Sequence, residues 1–130
     1  MSGTGRIDRS RAAALAAALV AGLVITAPAG AHARLERADP PDAASVAQPP
    51  AALRLRFTEA PIARFATVSV AGPGGAPIAA GPVSIDPQDR FSLVVPLPGG
   101  LAAGDYSVRW SVASGDLHRV QGRYRFAVRP

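Results

Sequence analysis

Two stretches near the C-terminal end confine this chain to a β architecture. Tyr106, Val108, Trp110 and Val112 recur at every second position, and so do Tyr124, Phe126 and Val128. Successive side chains of a strand point to opposite faces, so each stretch presents a continuous apolar face that a second layer must cover. Both aromatic sets are therefore read as core. The pattern repeats upstream: Leu53, Leu55 and Phe57 alternate with Arg54 and Arg56, Phe65 to Val70 carries Val68 and Val70 on one side, and Phe91 to Val95 forms a further strand. Ile78 and Val83 mark short edge-like pieces. Pro61, Gly72-Pro73-Gly74-Gly75, Pro77, Gly81-Pro82 and Gly99-Gly100 punctuate these runs, and no helical period of useful length follows residue 31. Short strands between close turns predict an all-β fold, a two-layer antiparallel sandwich or small Greek-key barrel of about 100 residues. The segment Asp39-Pro40-Pro41-Asp42 is expected to be extended, because proline fixes φ and biases its predecessor toward β geometry.

Residues 1–31 read as a secretory signal peptide. Arg6, Arg9 and Arg11 charge its start, Ala12 to Ala27 is almost unbroken apolar sequence, and Pro28 precedes the small-residue run Ala29-Gly30-Ala31. The stretch is short and alanine-rich for a membrane span. Cleavage leaves residues 32–130, enough for one domain and too few for two. The mature protein is then expected to be soluble outside the cytoplasm. Losing Arg6, Arg9, Arg11 and Asp8 lowers the formal charge from +5 to +3. Arg54, Arg56, Arg109, Arg123 and Arg125 are scattered along strands with no basic run, which argues for a solvated sheet face and against nucleic acid.

The chain has no cysteine, and its one methionine is Met1. Disulfides, thiolate zinc sites and iron–sulfur clusters are excluded, and so is a thioether or thiolate site for copper(I) in the mature protein. Any metal chemistry must use His, carboxylate, amide or amine. The chain has two histidines, His32 and His118. Cleavage after Ala31 would make His32 the first residue and give it two nitrogens, the free α-amine and the imidazole. Ala31-His32-Ala33 is also an Ala-x-Ala pattern, and cleavage after Ala33 would discard the histidine. His118 lies in Ser114-Gly115-Asp116-Leu117-His118, between the two strongest strands. Side chains two apart in an extended stretch share a face, so Asp116 and His118 can point together. Three nitrogens and one carboxylate oxygen suit an oxidised, borderline-hard transition metal, with copper(II) the first candidate. Asp116 can equally serve as a turn residue that bonds its own backbone, and the two roles are compatible.

Taken together, these residues resemble the CopC family of periplasmic copper-binding proteins. The start His32-Ala33-x-Leu35 with Pro40 and Asp42, then Leu53-x-Leu55-x-Phe57-Thr58-Glu59, is similar to the family's N-terminal half. Gly104-x-Tyr106-x-Val108-x-Trp110, Ser114-x-Asp116-x-His118 and Gly122-x-x-x-Phe126-x-Val128 are similar to its C-terminal half. The resemblance implies a seven-stranded Greek-key β-barrel, cupredoxin-like or immunoglobulin-like, over residues 32–130. It implies one copper(II) per mature chain held by His32, Asp116 and His118, with Glu59 beside them to orient the amine or an imidazole. It further implies a monomeric periplasmic carrier without enzymatic activity, which sequesters copper or delivers it to a partner such as a membrane copper transporter of the CopD type. Two departures stand out: Leu117 and Arg119 occupy positions where the family usually has glycine and proline, and the methionine-rich copper(I) segment of some members is missing.

Two other classes fit parts of the pattern. An N-terminal histidine with a second histidine also builds the copper brace of lytic mono-oxygenases, although the Asp-x-His carboxylate would fill a position oxygen needs. A metal-free sandwich serving as an interaction module requires neither histidine.

Overall fold

The computed structural model describes residues 32–130 together with the isolated Gly3 and Gly22. The expected signal peptide lies outside the described residues. Nine strands form: β1 (Leu35–Asp39), β2 (Ser45–Val46), β3 (Ala52–Phe57), β4 (Thr67–Ala71), β5 (Pro77–Ile78), β6 (Ser84–Asp86), β7 (Asp89–Pro96), β8 (Gly104–Ala113) and β9 (Arg119–Val128). Ala63–Phe65 and Pro73–Gly75 are single 3₁₀ turns.

The strands make two sheets, ordered β1-β3-β7-β6 and β2-β9-β8-β4-β5. Their facing sides supply the core. Leu53, Leu55 and Phe57 of β3 and Leu93 and Val95 of β7 are completely buried, opposite Tyr106, Val108, Trp110 and Val112 of β8 and Tyr124, Phe126 and Val128 of β9. Phe57 meets Trp110 edge to face across the sheets at 5.1 Å between ring centroids, a favoured aromatic arrangement. Within the larger sheet Tyr106 stacks on Phe126 at 5.3 Å. Trp110 lies opposite Gly122 in the β8–β9 ladder. A Cβ at that glycine would come within 2.4 Å of the indole, so only glycine leaves the ring its place.

The sandwich half of the expectation holds, and the closed seven-stranded barrel does not. Among the described residues β1, β6, β2 and β5 are all free edges, and no ladder joins the two sheets. The reason is local. β2 and β5 are only two residues long, and Pro77 and Pro82 flank the β5–β6 crossing, where proline offers no N–H for a further ladder. Without these two-residue edges, seven longer strands remain. Phe65, expected in a strand, sits instead in the 3₁₀ turn before β4.

The N-terminal segment is also arranged differently. Leu35–Asp39 pairs with β3 as an edge strand whose register shifts between Leu35 and Arg37. Such a bulge breaks the alternation by which a strand is recognised in sequence. The chain is not extended from Pro40 onward. The Ala44 N–H donates to the Pro41 carbonyl at 3.1 Å, and Ala43 has φ 64, so a tight turn reverses the backbone. The Asp42 carboxylate accepts the Arg125 N–H at 3.2 Å and fastens this turn to β9.

Candidate metal centre

Strands β8 and β9 end together, Ala113 opposite Arg119, and the five residues between them form the rim of the sandwich. Ser114 is buried against the core, while Asp116, Leu117 and His118 stand in solvent. The loop is a turn and not an extended stretch. The Leu117 N–H donates to the Ser114 carbonyl at 2.9 Å, and the His118 N–H donates to Asp116 Oδ1 at 3.0 Å. Asp116 and His118 therefore converge through an aspartate-closed turn, not through strand alternation. Ser114 Oγ donates to the same Oδ1 at 3.1 Å. Its position was legible in the Ser-x-Asp-x-His spacing, but its role as the anchor of the carboxylate was not.

With Oδ1 occupied by these two donors, Oδ2 is turned outward. His32 Nδ1 lies 3.3 Å from it and His118 Nδ1 3.4 Å. The imidazoles meet edge to face at 4.9 Å. The His118 N–H, helped by the Ser114 hydroxyl and the His118 ring, holds the Asp116 carboxyl below its usual range against the opposing effect of partial burial. It therefore stays ionised through the pH range in which imidazoles ordinarily take up protons. Each ring nitrogen directed at this ionised oxygen can donate an N–H to it, even from a neutral imidazole, or turn a lone pair to a cation held beside the carboxylate.

His32 reaches this loop from the far end of the sequence. Ala33 is buried, and Arg34 is bonded on both sides of its peptide to Thr58: the Arg34 N–H donates to Thr58 Oγ1 at 3.0 Å and the Thr58 N–H to the Arg34 carbonyl at 2.9 Å. Thr58, which directly follows β3, thus fixes where the N-terminal segment leaves the sheet. Sequence reasoning had not assigned it a part. Glu59 is half-buried beside it and makes no hydrogen bond or ion pair to His32, Asp116 or His118 among the described residues.

One ligand atom from each of His32, Asp116 and His118 lies within 4.8 Å of the others. Nitrogen and oxygen ligands held about 2.0–2.2 Å from an ion stand roughly 3 Å apart when adjacent and about 4 Å when opposite. The three side chains could thus hold one metal ion between them.

Residues 35–129 match the CopC domain. The chain belongs to the CopC family. It is 33% identical over 120 residues to "Protein YobA" of Escherichia coli K12, covering 92% of this chain and 97% of that protein. It is 31% identical over 124 residues to "Copper resistance protein C" of Xanthomonas campestris pv. juglandis, covering 92% and 97%. Among solved structures, the crystal structure of CopC from Methylosinus trichosporium OB3b superposes with a TM-score of 0.70 at 29% identity, over 76% of this chain and 95% of that one. PcoC, described as a methionine-rich copper resistance protein of Escherichia coli, gives 0.70 at 31% identity, over 76% and 100%. This CopC-family chain, by contrast, has one methionine in all.

Leu117 and Arg119 have separate structural consequences. Arg119 Nη1 donates to the Phe65 carbonyl at 3.1 Å and to Ser111 Oγ at 2.9 Å, pinning the start of β9 to the neighbouring 3₁₀ turn in a way proline could not. Leu117 adopts φ 60, a left-handed conformation that suits glycine. Its side chain is 63% exposed, so burial returns little of that cost. The strain, about 1–2 kcal/mol, exceeds the extra chain entropy of glycine, about 0.4–1 kcal/mol. Leu117→Gly is expected to raise the midpoint of thermal unfolding by a few degrees, measured by circular dichroism. A lowered midpoint would show that the leucine side chain supports the loop.

Proposed function

We propose that this protein is a periplasmic, non-enzymatic carrier that binds one copper(II) ion at its mature N-terminus, through His32, Asp116 and His118. The observation that carries this reading is the convergence of the two imidazoles of the mature chain on Oδ2 of a single ionised carboxylate at 3.3 and 3.4 Å. His32 presents Nδ1, the ring nitrogen that can close a six-membered chelate with the residue's own α-amine once the signal peptide is removed after Ala31. The inventory is then three nitrogens and one oxygen, and nitrogen-rich sites favour copper(II) over the other divalent first-row ions. Relatives named for copper resistance, and not for a reaction, support carriage over catalysis.

With neither thiolate nor thioether at hand, copper(I) finds only imidazole and a hard carboxylate, a poor match to its softness. The reading is therefore of a copper(II) type, with a monomer that sequesters the ion or passes it to a membrane transporter of the CopD type. No helix among the described residues is long and apolar enough to cross a membrane.

Electron paramagnetic resonance of the copper-loaded exported protein tests the site. A tetragonal copper(II) signal with imidazole nitrogen hyperfine structure is expected at one ion per chain, without the intense blue colour that a cysteine thiolate confers. Loss of the nitrogen hyperfine pattern would overturn the assignment, as would tight stoichiometric copper(I) binding equal to that of copper(II).

A further inference from the structure

The two sheets treat their outward arginines differently. On the outer face of β1-β3-β7-β6, cations and acids are interleaved: Arg54 is paired with Asp86, and Arg56 with Glu36 and Asp89. On the outer face of β2-β9-β8-β4-β5 the cations lack such partners. Arg109 stands directly opposite Arg123 in the β8–β9 ladder, and neither makes an ion pair among the described residues. Like charges at facing ladder positions repel and destabilise a sheet. Arg125 lies two residues further along the same face of β9, and Asp42 reaches its backbone N–H. Arg119, at the start of the strand, bonds only neutral oxygens. Among the described residues the one ion pair at this face is peripheral, Arg129 with Asp105 at 2.8 Å.

We propose that this face, centred on Arg109 and Arg123, docks the protein against an anionic lipid surface. The facing arginines, repulsive when free, gain partners on a plane of phosphates. Beside the arginines the face carries Thr67, Ser69, Ser107, Ser111 and Gln121, and a shallow depression of about 320 Å³ is lined by Arg109, Gln121 and Arg123 with Trp110 and Gly122. The one aromatic that lines it, Trp110, is only 7% exposed and is turned into the core against Phe57, so no apolar anchor projects from the face, whereas specific protein interfaces are built around a buried apolar or aromatic centre. A charged membrane surface needs no such centre, since each basic residue near it contributes by charge alone. The face also runs, through Arg119, directly into the metal loop. Just before the start of β9 stands Leu117, the one exposed large hydrophobic residue among those described, an apolar group of the kind that enters a lipid interface. Docking in this way would hold His32 and His118 near the membrane, where a membrane-embedded acceptor takes up the ion.

The test is co-sedimentation of the exported protein with vesicles of phosphatidylglycerol and phosphatidylcholine, against vesicles of phosphatidylcholine alone. Binding is expected only to the anionic vesicles and should weaken as salt screens it. Arg109→Ser/Arg123→Ser should lower the partition coefficient by about 25-fold, at about fivefold per arginine, while copper(II) binding stays unchanged. The charge-matched control Arg37→Ser/Arg90→Ser, two exposed arginines off this face, should change it far less. No binding to anionic vesicles, or equal losses in both double variants, would overturn the proposal. So would binding to polyglutamate in place of vesicles, which would assign the face to an acidic protein.

Discussion

Placing two residues ahead of His32 is expected to weaken copper(II) binding by orders of magnitude and leave the fold intact. In the proposed site the α-amine of His32 closes a chelate with its own Nδ1. A Gly-Ser extension converts that amine to an amide, which is no longer an amine ligand, and carries the terminal charge away. The fold should be indifferent, because the segment is held by Ala33 and by the paired bonds between Arg34 and Thr58, all downstream of the change. The comparison is the mature protein beginning at His32 against the extended form, by chelator competition and circular dichroism. The amine has an ordinary pKa of about 8, so binding must displace its proton near neutrality, and affinity should fall as pH drops through the amine and imidazole range. Asp116 contributes little to that fall. Its pKa lies below the usual carboxylate range, so it is protonated only at more acid pH. Equal affinity of the two forms, or an exported protein that begins at Arg34, would remove the N-terminal histidine from the mechanism.

His118→Ala is the second change with a large effect, again a loss of orders of magnitude. It removes one of the two imidazoles of the mature chain, and no other histidine can replace it. The loop itself should persist, since the turn is closed by the backbone N–H of residue 118 and by Ser114, not by the ring. Asp116→Ala should cost less than His118→Ala in ligation, but it also opens the turn. Glu59→Ala should cost least, because among the described residues its carboxylate makes no bond to the three converging residues. Trp110, the one tryptophan of the chain, offers an internal reporter. It lies three residues before the end of β8, roughly 10 Å along the strand from the loop, close enough for a paramagnetic ion to quench it. Titration of the three variants through this fluorescence ranks them. If His118→Ala binds as tightly as the unaltered protein, the site is wrong.

Much of the architecture is legible in the residues because it rests on short-range regularity. Period-two alternation in Ala52–Phe57, Gly104–Ala113 and Arg119–Val128 marks the strands and which side of each is buried, and the apolar excess requires a second layer. The chemistry is legible by exclusion: without cysteine and with a single methionine, two histidines and a nearby aspartate are what remains for a metal. Edge strand β1 escapes the same reading, since its bulge breaks the alternation.

The tertiary structure decided what depends on distant segments meeting. That the sheets stay open instead of closing into a barrel follows from two-residue edges and nearby prolines, whose pairing partners no local pattern reveals. That Asp116 and His118 converge through an aspartate-closed turn with a strained Leu117, and not by alternation, follows from hydrogen bonds to Oδ1. Above all, His32 and His118 are 86 positions apart in sequence. Only the edge pairing of β1 with β3 and the strap from Arg34 to Thr58 bring one to the other, because residue type and spacing specify ligands, whereas the distance between them is set by packing.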